Sequence, residues 1–127
     1  MKEPPTIGKP KRPSTAKPKD PPAPRKRDLE GKFCAAIKAK LRVELRYEDD
    51  TLWRLYDPHG VFKSTDDKIL TTGTQIRNPN QAADESGPRH FEVGRISAVQ
   101  VTDQPFTVDP RFDRLDPRYR NGFLCVV

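Results

Sequence analysis

The sequence predicts a mainly β fold: a small, strongly bent barrel of about five strands, preceded by one N-terminal helix and a disordered basic N-terminal arm. Three observations carry this reading. Apolar residues alternate with charged ones in short runs broken by polar turns. A single stretch of helical period comes before those runs. The first 28 residues hold eight of the fourteen prolines and almost nothing to bury. Short, evenly spaced strands after one helix fit a barrel of the Sm or SH3 type. The division that follows is an arm over residues 1–28 and a β-domain over residues 29–127.

Charge separates the two parts. Residues 1–28 carry nine Lys and Arg against Glu3, Asp20 and Asp28, which is the whole net charge of +6. The remaining fifteen basic and fifteen acidic residues cancel. In the arm, Lys9-Pro10-Lys11-Arg12-Pro13 and Lys17-Pro18-Lys19 repeat a basic-proline theme that cannot offset its ordering entropy. Such an arm can neutralise phosphates of a nucleic acid; an anionic membrane, an acidic partner or a plain spacer are the other readings. It holds no aromatic residue for base stacking. Cys34 and Cys125 stand far apart with no metal-ligand spacing around them, so neither a disulfide framework nor a zinc site is expected. No cofactor is called for. With no apolar leader at Met1 to Pro5 and no long apolar run, the chain reads as cytoplasmic.

Asp28 is placed to cap a helix whose Leu29, Phe33, Ile37 and Leu41 share one face. Val43, Leu45 and Tyr47 then alternate with charged residues in a strand, and Asp49-Asp50 turns the chain. A strand over Thr51 to Asp57 is expected to stop at Pro58, which cannot donate to a ladder. His59 to Lys63 and Lys68 to Ile76 form a hairpin through Ser64 to Asp67. Arg77 to Gly87 is a polar loop of the kind that borders sites. Pro88 to Phe106 supplies two strands bent at Gly94, a charged linker runs over Arg111 to Arg120, and Gly122 to Val127 closes with a short apolar strand. No internal repeat is apparent.

The order of these residues resembles the WYL domain. The resemblance rests on Ile37, Leu41, Val43 and Tyr47; on Arg54-Leu55-Tyr56-Asp57-Pro58-His59-Gly60; on Leu70 with Gly73-Thr74-Gln75; on Arg89-His90-Phe91-Glu92-Val93-Gly94-Arg95-Ile96; and on Val99, Val101 and Phe106. It spans roughly residues 33–108, with Asp116 to Val127 similar to the tail of short stand-alone members. Lys68-Ile69-Leu70 stands at the naming tripeptide and Gly94 where the family usually has Asp. The resemblance implies an Sm-like barrel with a regulatory role in bacterial transcription, binding nucleic acid or a nucleotide-like ligand through a basic groove. No helix-turn-helix pattern precedes the barrel, which leaves the arm as the other candidate for DNA contact.

The candidate site residues are Arg54, Arg89, Arg95, Tyr47, His59 and Gln75. The arginines suit bidentate capture of phosphate or carboxylate, although pairing with Glu92 or neighbouring Asp residues accounts for them equally in folding terms. Tyr47 alternates with core residues and also carries a hydroxyl; Gln75 suits a base edge or a backbone group; His59 titrates near neutrality. Trp53 is read as packing, with base stacking the alternative. Enzyme readings find little support, and an enzyme without a recognisable motif is the remaining reading of that class. Asp49-Asp50 and Asp66-Asp67 fall at turns, and phosphate-loop, dinucleotide and nucleophile-elbow motifs are absent. The expected function is therefore non-enzymatic, a ligand-sensing module for a single-stranded nucleic acid or nucleotide. The alternative is a protein-interaction module whose arm alone touches nucleic acid.

Overall fold

A computed structural model describes residues 20–83 and 85–127. Its elements are α1 (Arg27–Ala39), β1 (Leu41–Tyr47), β2 (Arg54–Lys63), β3 (Ile69–Arg77), β4 (Gly87–Glu92), a short 3-10 turn (Val93–Arg95), β5 (Ile96–Pro105), a second 3-10 turn (Pro117–Tyr119) and β6 (Phe123–Val126). The fold is mainly β with one helix, as the sequence predicts. Most of the expected arm, residues 1–19, lies outside the described residues.

Leu29, Phe33, Ala36 and Ile37 are buried along one face of α1, at the spacing that puts them on a single stripe. Asp28 is not the cap. Lys26 holds that position without a side-chain bond, and Asp28 lies inside the first turn, where with Glu30 it meets the positive helix end. At the other end Lys40 adopts the left-handed conformation (φ 55°), and its amide donates to the Ala36 and Ile37 carbonyls.

The strands form one antiparallel sheet in the order β4-β3-β2-β1-β5, with β6 added to β2. Val43 pairs with Tyr56 and with Val101, so β1 sits between β2 and β5. The sheet bends without closing, its path ending at β4 and β5. The expected stop at Pro58 is corrected: β2 runs straight through it. Tyr56 is the last β2 residue paired with β1 and Gly60 the first paired with β6, and the register shifts between Pro58 and Gly60. Pro58 thus occupies the gap between two successive neighbours, where a missing N–H costs little. The core gathers Phe33, Ile37, Val43, Leu45, Tyr56, Val61, Phe91, Val93 and Ile96 under α1.

Gly73 and Gly94 make close approaches possible. A Cβ on Gly73 would lie 2.2 Å from the Asp57 carbonyl oxygen and 2.9 Å from the Tyr56 ring. A Cβ on Gly94 would lie 2.5 Å from the Pro24 carbonyl oxygen. The bend between β4 and β5 falls at Gly94 as the sequence suggests, but the need for glycine comes from the segment packed on it. There the Ala23 amide donates to a Glu92 carboxylate oxygen at 2.8 Å and Lys26 Nζ donates to the Ile96 carbonyl at 2.8 Å.

The expectation of unpaired cysteines is overturned. Cys34 on α1 and Cys125 on β6 form a disulfide across a sequence separation of 91. Distance along the chain misled, because α1 and β6 meet only when the sheet has folded. Disulfides persist chiefly in oxidising surroundings, so the pairing does not add to the cytoplasmic expectation. Among the described residues no helix is long and apolar enough to cross a membrane. Closing so long a loop restricts the unfolded chain by about 5 kcal/mol at most. Reduction, or the Cys34→Ser and Cys125→Ser pair, is expected to lower stability by about 2–4 kcal/mol. Urea unfolding with and without a dithiol reductant measures this, and equal midpoints would show that the bridge contributes nothing.

Candidate ligand site

Arg54 starts β2 and points to the inner face, where its guanidinium is largely committed. Nε and Nη2 donate to the two Asp50 carboxylate oxygens at 2.6 and 3.1 Å, and Nη1 donates to Gln75 Oε1 at 3.2 Å. The same guanidinium lies 5.3 Å from the Phe91 ring and 5.9 Å from the Tyr47 ring, within cation–π range. Gln75 is fully buried and donates onward to the Glu85 carbonyl at 2.8 Å. Burial opposes ionisation of Asp50, but the Arg54 hydrogen bond and the Tyr47 amide outweigh it and hold the carboxyl below its usual range. Tyr47 packs on Phe91 at 5.0 Å, and burial pushes its phenol up.

Arg95 belongs to a different cluster. In the turn after β4 it meets Glu92 at 2.9 Å, Glu48 at 3.1 Å and Asp20 at 3.9 Å. Its Glu92 hydrogen bond raises its pKa further. Arg89 on β4 donates to the Pro88 carbonyl at 2.9 Å, and among the described residues its side chain has no carboxylate within ion-pair distance. The structure therefore brings Arg54, Tyr47 and Gln75 together, sets Arg95 among carboxylates, and leaves Arg89 as the guanidinium of the three without an acidic partner.

His59 sits elsewhere, against the C-terminal segment. It is buried, its Nε2 accepts the Asp109 amide at 2.8 Å, and so Nδ1 carries the proton donated to the Asp57 carbonyl at 2.9 Å. The ring stacks on Phe106 at 5.2 Å with Phe112 edge-on at 5.3 Å. Burial pushes its pKa down, against the Asp57 contacts. Beside it opens a cleft of about 200 Å³ lined by Pro88, His90, Arg111, Phe112, Arg118 and Tyr119 among others.

The far wall of that cleft is the segment read as a charged linker, and it contains the repeat that a first reading misses. Asp109-Pro110-Arg111-Phe112 and Asp116-Pro117-Arg118-Tyr119 share one pattern, Asp-Pro-Arg followed by an aromatic residue. In each the arginine amide donates back to the aspartate at 2.9 Å, and the arginine Nε donates to the same carboxylate at 3.0 Å. Each unit is an Asx turn that fixes the following ring. The Phe112 and Tyr119 centroids lie 5.9 Å apart, and the Tyr119 hydroxyl meets Thr72 Oγ1 at 2.8 Å. The signal in the sequence was two aromatic residues inside an otherwise solvated stretch. The Arg111 hydrogen bonds keep the Asp109 carboxyl well below the usual carboxylate range.

Trp53 precedes β2, with the Arg46 guanidinium 4.4 Å above its ring. The Arg77 to Gly87 loop is tied to this corner, since Asn80 Oδ1 accepts the Thr51 and Leu52 amides.

No family profile matches the sequence, and no curated protein does. Among solved structures the fold is similar to proteasome accessory factor B/C (PafBC) of Arthrobacter aurescens, with a TM-score of 0.52 and 16% identity. The match covers 76% of this chain and 14% of that one. At this identity the likeness speaks to the fold alone.

Two expectations follow from this geometry. Arg54→Ala strands the nearly buried Asp50 carboxylate and the Gln75 oxygen, so a loss of about 2 kcal/mol is expected in chemical unfolding. A change within error would show that water replaces the guanidinium. For His59 the unfolded ring titrates near pH 6.5 and the folded ring lower, so between those values the unfolded chain binds the extra proton. Stability is complete above about pH 6.5 and declines as pH falls through the folded pKa. His90, lowered by burial and by Arg118, acts in the same direction. Unfolding midpoints between about pH 7.5 and 5.5 test this, and a midpoint that rises on acidification contradicts it.

Proposed function

We propose that the protein is a non-enzymatic regulatory binding module of the WYL type, with an anionic ligand, a nucleotide or a single-stranded nucleic acid. What supports this most directly is the order of residues that resembles the WYL domain, Arg54 to Gly60 and Arg89 to Ile96, carried on a bent sheet whose fold is similar to part of PafBC. Within this reading Arg89 is the anion contact of the β-domain, because its guanidinium is not matched by an acid among the described residues.

One observation favours the alternative in which the arm alone touches nucleic acid. Arg25, Arg42, Arg54, Arg95, Arg111 and Arg118 each face a carboxylate at 3.1 Å or less. With these arginines paired, the excess charge of residues 1–28 is the larger electrostatic footprint. Binding of short oligonucleotides at several salt concentrations separates the two. If Arg89 holds the ligand, Arg89→Ala in the folded protein weakens binding about tenfold, the size of one charge-assisted contact. If the arm acts alone, Arg89→Ala is silent. Replacing the six Lys and Arg of residues 1–19 by Gln then abolishes binding and its salt dependence together.

A further inference from the structure

The cleft beside His59 differs from a phosphate site. Its walls are the rings of Phe112, Tyr119 and His90 with Pro88, and it carries Asp113, which among the described residues has no cation within ion-pair distance. Arg111 and Arg118 line it too, but both guanidiniums are already bonded to Asp109 and Asp116. The twice-used Asp-Pro-Arg-aromatic unit holds the two rings in place before anything binds. Aromatic grooves with acidic rims take proline-rich basic segments, since proline has little conformational freedom left to lose and its flanking cations meet the acids.

We propose that this cleft docks a proline-rich basic segment, and that its occupant is Pro10-Lys11-Arg12-Pro13 of the same chain. The sequence of that segment fits the chemistry. Its prolines are three apart, which a polyproline helix of three residues per turn sets on one edge, with Lys9, Lys11 and Arg12 around them.

The position of the chain fits as well. The described chain begins at Asp20, which ion-pairs with Arg95 at 3.9 Å. Asp20 and His90 border one surface hollow, and His90 also lines the cleft. The residues from Pro13 to Asp20 span up to about 20 Å in extended form, ample to pass over His90. Charge favours the same path. Hollow and cleft together present seven carboxylates against four Lys and Arg. Residues 1–19 carry six Lys and Arg against Glu3.

This inference goes beyond the proposed function and stands without it, because docking requires no nucleic acid. Where the arm also binds phosphates, docking makes the two uses compete, so that a polyanion must lift the arm from the cleft.

The test compares the full-length protein with its Pro10→Ala/Pro13→Ala variant, following the ring proton resonances of Phe112 and Tyr119. A synthetic peptide of residues 1–19 is then titrated into each. A shared amide spectrum for the domain establishes that both are folded. The expected result is a shift of both rings in the variant. The added peptide then binds the variant about tenfold or more tightly than the wild type, because the tethered arm competes at an effective concentration on the order of millimolar. Unchanged rings and equal peptide affinity would overturn the proposal. Ring shifts in the wild type that grow with protein concentration would overturn it also, by assigning the cleft to the arm of a second copy. These readings are independent of the oligonucleotide assay, so either proposal can fail alone.

Discussion

The arrangement depends on His59. Buried where β2 passes from one neighbour to another, its ring holds the Asp57 carbonyl with one nitrogen and the Asp109 amide with the other. Its own carbonyl accepts the Val127 amide at 2.8 Å, so the start and end of the C-terminal segment are both tied to one residue. Only the neutral imidazole can donate at Nδ1 and accept at Nε2, and burial favours that form. A residue that sequence reading marks as a ligand candidate thus acts as the clamp that shapes a cleft. With Tyr119 bonded to Thr72 and Thr74 Oγ1 donating to Asp109, it sets the two Asp-Pro-Arg turns against β3.

The electrostatics of the folded part follow a consistent pattern. Arg25, Arg42, Arg54, Arg95, Arg111 and Arg118 are paired close to home, and Arg54 shows why: at the end of a strand, over two aromatic rings and beside a largely buried carboxylate, an unpaired guanidinium would be costly. Pairing leaves the surface neutral in sum but uneven. Carboxylates collect between Glu48 and Asp116 along one side, and positive charge collects in the residues that lead into the domain. The opposition between these two regions is the main electrostatic feature of the molecule.

Two tethers join distant parts of the chain to the sheet. At one end Glu92 accepts from both the Ala23 amide and Arg95, which fastens the segment before α1 over the β4–β5 bend at Gly94. At the other, the bridge between Cys34 and Cys125 fixes β6 to the helix that covers the core. Both act between elements remote in sequence. The fold gains by these means some of the restraint that a closed ladder would have given.

The local elements were legible in the sequence. Alternation at Val43, Leu45 and Tyr47, helical spacing at Leu29, Phe33 and Ile37, and the bend at Gly94 are written in periodicity and small residues, which act over a few positions. Tertiary structure alone decided the rest. It carried β2 through Pro58 by changing that strand's neighbour, paired two cysteines 91 residues apart, and divided the candidate residues among a cluster at Arg54, carboxylates around Arg95, a clamp at His59 and Arg89 apart from them. It also turned a charged linker into a wall of two rings. The physical reason is common to all of these. A side chain's partner across a sheet is set by register and crossing, which depend on the whole chain, while its own pattern records only which face it occupies.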